Sequence, residues 1–113
     1  MEERRLKRGD VAIVAMQGEY GKVRPAIIIQ TDALFDIPSV VIVPCTSEIV
    51  ADCIYRPDIH PDPENGLQRQ SQAMTDKIAA VPLRRVREIV GTVSADTLRA
   101  VEQAAQFVIG TFD

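Results

Sequence analysis

An arginine fixed at the mouth of a buried strand is the strongest chemical signal in the chain. Arg24 stands in Gly21-Lys22-Val23-Arg24-Pro25-Ala26, which runs straight into Ile27-Ile28-Ile29. Such β-branched residues suit a buried strand, and proline is tolerated only where a strand begins or lies at an edge. Arg24 is therefore expected at a rigid boundary between a glycine-containing loop and the core. Guanidinium groups carry a planar fork of donors that matches phosphate geometry, so an anion site at a strand mouth is the natural expectation. Lys22 and Arg69 are further candidates for phosphate contact, although exposed cations commonly do no more than keep a protein soluble. His60, the sole histidine, is the one side-chain type that ordinarily titrates near neutrality. It falls in a long loop, where a solvated surface position is the default. Cys45 and Cys53, eight positions apart, do not make a closed zinc ligand set with a single histidine. Neither a glycine-rich phosphate loop nor a nucleophile elbow is present in the sequence. No metal and no cofactor are expected.

The elements that must hold these residues are short. Asp10 to Met16 reads as a first strand, Ala26 to Thr31 as a second, and Val40 to Val43 as a third, entered past Pro38 and closed by Pro44. Ala51 to Tyr55 is expected to be a fourth. Gln17 to Val23 holds two glycines and is expected to be a mobile loop. Arg56 to Gly66, with three prolines, three acids and Asn65-Gly66, is expected to be a long irregular loop or wide turn. Gln70 to Thr75 and Ile78 to Val81 are further short strands. Leu83 to Arg87 suits a single helical turn introduced by Pro82, and Ile89 to Val93 returns as a strand. Ser94 is a candidate N-cap for an amphipathic helix carrying Leu98, Val101, Ala105 and Val108, ending near Gly110. The expected fold is mainly β: a small, strongly bent barrel or half-barrel of antiparallel strands packed against a C-terminal amphipathic helix.

Composition bounds what such a fold does. A chain of 113 residues fits one domain, spanning 1–113. Aromatic residues are only 4% of the chain and Trp is absent, so the core must be built from Val, Ile, Leu and Ala. The apolar runs are too short to span a bilayer, and the N-terminus lacks the apolar segment of a secretion signal. A cytoplasmic protein with reduced thiols is expected. A net charge of −3 argues against bulk attraction to nucleic acid, but the cations are clustered. The first eight residues hold four cations against two acids, and Arg84, Arg85 and Arg87 form a second group, suited to a solvated face or a protein contact. A local cationic groove is compatible with this distribution.

In combination, several segments resemble the MazF/PemK (also called Kid) toxins of bacterial toxin–antitoxin modules. They are Arg8-Gly9-Asp10-Val11, Gly21 to Gln30, Val40 to Ser47, Asn65-Gly66-Leu67, Asp76-Lys77-Ile78, and Leu83 to Val86 with Gly91 to Ser94, in that order. The resemblance implies an SH3-like barrel, a homodimer, and a sequence-selective, metal-independent endoribonuclease that cleaves single-stranded RNA. It places Arg24 and Thr46 on the family's catalytic positions, with Lys22, Ser47, Arg69 and His60 as candidate RNA contacts. RNA can be cut by its own 2′-hydroxyl attacking the adjacent phosphate, so such a protein needs no nucleophile. It must align the phosphate, stabilise charge on its oxygens and manage two protons. The implied products are a 2′,3′-cyclic phosphate and a 5′-hydroxyl end. The implied partner is an antitoxin with a disordered, acidic segment, through which alone the toxin would meet DNA.

The chain departs from the family pattern at Asp76-Lys77, where an Asp-Gln pair is common. That change is expected to alter an interface or the RNA groove. Two alternatives share the superfamily: a CcdB-like gyrase poison, and a catalytically silent binding module or co-repressor. The segment Ala73 to Pro82 has some likeness to the gyrase branch, but the Trp-containing end on which gyrase binding depends is missing.

Overall fold

The computed structural model describes residues 5–16, 18 and 22–113. The expected mobile loop between Gln17 and Val23 falls mostly outside these residues. Among the described residues seven strands are formed: β1 (Asp10–Ala15), β2 (Val23–Ile28), β3 (Ser39–Thr46), β4 (Asp58–Ile59), β5 (Ser71–Ala73), β6 (Ala79–Pro82) and β7 (Val86–Thr92). They are followed by the α-helix α1 (Ala95–Ile109), and short 3-10 turns at Thr75–Lys77 and Leu83–Arg85 flank β6. The sheet runs β4-β5-β3-β2-β1-β7, with β6 also paired to β3, and every pairing is antiparallel. β3 is long enough to serve two partners on one side: its first half pairs with β6 and its last two residues with β5. The β1–β7 pairing shifts register between Val11 and Ala12 and again between Ile13 and Val14. Such irregularities increase local bend and twist, and they help curl the sheet into a half-barrel.

Because the sheet is covered on both faces, its strands alternate between two cores rather than between core and water. Val11, Ile27, Val43 and Cys45 pack on one face with Ile59, Leu67 and Val101 of α1. Ala12, Val14, Ala26, Ile28 and Ile42 pack on the other with Val40 and Val81. This explains the uninterrupted apolar runs: most positions of these two-faced strands are buried or half-buried on one face or the other. Helix α1 begins where expected. The Ser94 hydroxyl accepts the Thr97 amide at 3.1 Å, and Gly110 ends the helix in the left-handed region at φ 81°. Leu98 and Val101 join the core, whereas Val108, the last of the apolar stripe, is exposed.

Three sequence expectations are corrected. The Ala51–Tyr55 strand is absent; this segment turns, and Asp52 sits at φ 56°, incompatible with an extended run. The strand of this region is the two-residue β4, inside what was expected to be irregular loop. Pro44 does not close β3, which continues to Thr46. Proline lacks only the N–H donor, and its carbonyl still accepts the Met74 amide at 2.8 Å. Finally, β2 begins at Val23, so Arg24 lies within the strand and not before it. Pro25 is accommodated because β2 pairs with β1 there (Ile13 opposite Pro25), while its recorded pairing with β3 starts only at Ala26.

Candidate nucleic-acid cleft

The β2–β3 register sets the geometry of the site. Ala26 lies opposite Pro44. Arg24 is two residues before Ala26 and Thr46 two after Pro44. Side chains two apart on a strand share a face, so Arg24 and Thr46 come level with one another where the two strands part. Both line a cleft of about 450 Å³. Lys22 and Ser47 lie beside them, Leu67, Gln68 and Arg69 stand on the facing wall between β4 and β5, and Ser71 lines the cleft from β5, the strand paired with β3. Five of the six candidate residues are thus brought together. His60 is not among the lining residues; it is exposed, and its carbonyl accepts the Asn65 side-chain amide at 2.9 Å.

The facing wall has no regular secondary structure between β4 and β5, so its shape comes from side-chain hydrogen bonds. Asn65 is fully buried. Its Oδ1 accepts the amides of Asp62 (3.3 Å) and Leu67 (3.0 Å), while Nδ2 binds the His60 carbonyl. The Asn65 amide in turn reaches the Asp62 carboxylate at 2.8 Å. The wall is pressed backbone to backbone against β7: the Thr92 amide donates to the Glu64 carbonyl at 2.8 Å. A Cβ on Gly91 would lie 2.3 Å from that carbonyl oxygen, and one on Gly66 would lie 2.4 Å from the Val90 oxygen. Both glycines are therefore dictated by the approach of wall to strand.

Around Thr46 the chain is equally constrained. Its Oγ1 accepts the Glu48 amide at 3.1 Å. With one lone pair so used, the hydroxyl proton is left to donate to a bound oxygen atom. Gln72 ties the following segment down: Oε1 accepts the Val50 amide (3.1 Å), and Nε2 donates to the Val50 carbonyl (2.9 Å) and the Asp58 carboxylate (3.0 Å). Cys45, on the cleft lining, is buried, and loss of water pushes its thiol up to about 12. It stays protonated at neutral pH and is no nucleophile. Among the described residues, no group of three His, Cys, Asp or Glu side chains is placed to hold a metal ion.

The cleft also contains acids that sequence reasoning did not select. Glu48 follows Thr46 by two positions, and Glu88 enters from β7, with its backbone opposite Ile13 of β1. Glu48 stood next to a recognised segment and could have been picked out by proximity. Glu88 could not, because only the β1–β7 pairing brings it there. Asp76, expected to affect an interface or the groove, does not line the cleft. It accepts both the Nε and an Nη of Arg56 at 2.9 Å, and this pairing holds its carboxyl below the usual carboxylate range.

A family model of PemK-like, MazF-like toxins of type II toxin–antitoxin systems matches residues 7–109. The chain belongs to this family. The PemK/MazF-like chain is 33% identical over 106 residues to the probable endoribonuclease MazF of Mycolicibacterium smegmatis, covering 93% of this chain and 97% of that one. Its fold is similar to that of the Mycobacterium tuberculosis toxin MazF-mt6, with a TM-score of 0.76 at 18% identity over 88% of this chain and 95% of that one. It is similar also to a mycobacterial endoribonuclease in complex with its cognate antitoxin, with a TM-score of 0.79 at 19% identity over 93% and 95% of the two chains. At these identities the structural likeness shows the shared half-barrel and terminal helix of the MazF-like toxins. No helix among the described residues is long and apolar enough to cross a membrane.

Proposed function

We propose that this PemK/MazF-like protein is an endoribonuclease toxin that cuts single-stranded RNA in the Arg24–Thr46 cleft and is neutralised by a cognate antitoxin. The observation that carries this reading is the convergence of Arg24, Thr46, Lys22, Ser47 and Arg69 on one cleft. The kinship with a probable endoribonuclease supports it.

The chemistry uses the substrate's own nucleophile. The 2′-oxygen attacks the adjacent phosphorus, forming a P–O2′ bond, and the P–O5′ bond breaks. The 2′-proton passes to a carboxylate, for which Glu48 and Glu88 are the candidates in the cleft, and the departing 5′-oxygen takes a proton from a water molecule, whose hydroxide is neutralised by the carboxyl group so formed. Arg24 neutralises charge building on the non-bridging oxygens, an effect that is large in a partly dry site. Thr46 donates its hydroxyl proton to the same group and fixes its orientation. Lys22, Ser47 and Arg69 hold flanking phosphates. No step calls for a metal.

The same reading covers a single toxin domain over residues 1–113, acting in the cytoplasm as a homodimer. An acidic antitoxin segment, disordered when free, would order itself over the cationic cleft. In the deciding test, the purified protein is incubated with single-stranded RNA and with the same strand carrying a 2′-deoxy nucleotide at the cut position. Cleavage of the first to a 2′,3′-cyclic phosphate, in the presence of EDTA, with none of the second, is the expected result. Equal cleavage of both would overturn the mechanism, and cleavage of neither by a correctly folded protein would overturn the function.

A further inference from the structure

A second groove, of about 800 Å³, lies beyond the cleft and shares Glu88 with it as a lining residue. Arg5, Arg84 and Arg87 supply cations to this groove, against the acids Asp32 and Glu88. Its aromatic side chain is Phe35, which remains 58% exposed and carries the Arg5 guanidinium 3.9 Å from its ring centre. The surroundings are built and not incidental. Gln30 donates to the Leu34 carbonyl at 2.6 Å and accepts the Val41 amide at 3.1 Å, pinning the loop that presents Phe35. The Leu83 amide donates to the Pro38 carbonyl at 3.0 Å, which ties the arginine-bearing turn to that same loop.

We propose that this groove is an extension of the substrate site, in which single-stranded RNA leaving the cleft crosses β7 and continues, its phosphates on Arg84 and Arg87 and a base against Phe35 and Arg5. The inference rests on the ribonuclease reading given above. A cationic track with an exposed aromatic platform is what sequence-tolerant binding of single strands requires, since every base has a stackable face. Glu88, which lines both, marks the point on β7 where the two grooves adjoin. The excess of guanidinium over carboxylate favours a polyanion, and Phe35 favours one that carries flat rings over an acidic peptide.

The test measures binding of 2′-O-methyl RNA, which cannot undergo 2′-hydroxyl attack. One mixed-sequence oligonucleotide is just long enough to fill the cleft, and another is several nucleotides longer. The variants are Arg84→Gln/Arg87→Gln, Phe35→Leu, and Arg99→Gln on α1 as a control of equal charge per substitution. For the long strand, the slope of log affinity against log salt should become shallower by about 0.7 for each groove arginine removed. Phe35→Leu should weaken the long strand by roughly fivefold or more. The short strand should bind all variants as it binds the parent, and Arg99→Gln should be silent. Equal weakening of both strands or an unchanged slope would overturn the proposal. If the parent binds the short strand and the groove variants change nothing, this inference alone fails. If the parent binds neither strand, the ribonuclease reading fails and takes the extension with it.

Discussion

The two walls of the cleft are built in opposite ways. On one side, Arg24 and Thr46 ride on neighbouring strands, and a backbone register fixed by several ladder pairs sets their level. On the other, Arg69 stands on a stretch without strand or helix, held by one buried asparagine and by two glycines that let β7 approach. The sheet wall can lose a side chain and keep its shape. The loop wall depends on single atoms, so small changes there should move the site as a whole. Function and stability therefore separate on the sheet side and merge on the loop side.

Four measurements sharpen or break that contrast, beginning with the largest effect. Arg24→Ala should lower the rate of RNA cleavage by about 10²–10³-fold, as loss of a charge-stabilising donor does elsewhere, while the thermal midpoint moves little; a large fall in midpoint would show that the sheet wall is not independent. Gly91→Ala drives a methyl into the Glu64 carbonyl. It should cost about 3 kcal/mol or more in denaturant unfolding and lower activity as well. Asn65→Ala leaves the amides of Asp62 and Leu67, the second of them buried, without their acceptor and should cost about 2 kcal/mol, with a rise in KM exceeding any change in kcat. Finding Asn65→Ala as stable as the parent would mean that the loop wall is held by something other than this side chain.

The smallest effect concerns pH. The hydrogen bonds from Arg56 hold the Asp76 carboxyl below its ordinary value, so the native state binds that proton more weakly than the unfolded chain does. The resulting stability is fully present above the ordinary carboxylate value of about 4 and is lost as pH falls through the depressed native one. Because the pair is partly exposed, with 31% of the Asp76 side chain open to water, the gain should stay under about 1 kcal/mol. Comparing acid unfolding of the parent with Asp76→Asn should show that difference near neutrality and its disappearance at low pH; no convergence at low pH would exclude the assignment.

Much of the half-barrel was legible because its signals are local. Ser94, Gly110 and the spacing of Leu98 and Val101 marked the helix, and the apolar runs marked β1 to β3. The misreadings share a cause. Ala51 to Tyr55 has strand-like residues but turns, because the pairing partner of β5 comes from Asp58–Ile59 instead. Pro44 looked like a stop, yet a strand needs only those backbone groups that its neighbours use. His60, expected at a solvated surface position, is exposed, and its carbonyl is engaged in building the loop.

By itself, the order of residues determined the class of fold, the terminal helix and the choice of Arg24 and Thr46. These follow from patterns within a few positions of each residue, or from a motif order that resemblance can read. Tertiary structure alone decided that Glu88 enters the cleft, that Gln72 holds the segment after Thr46, and that a second groove shares Glu88 with the cleft. Each of those facts depends on backbone segments far apart in the chain meeting at hydrogen-bond distance, and side-chain type carries no record of which distant segment it will meet.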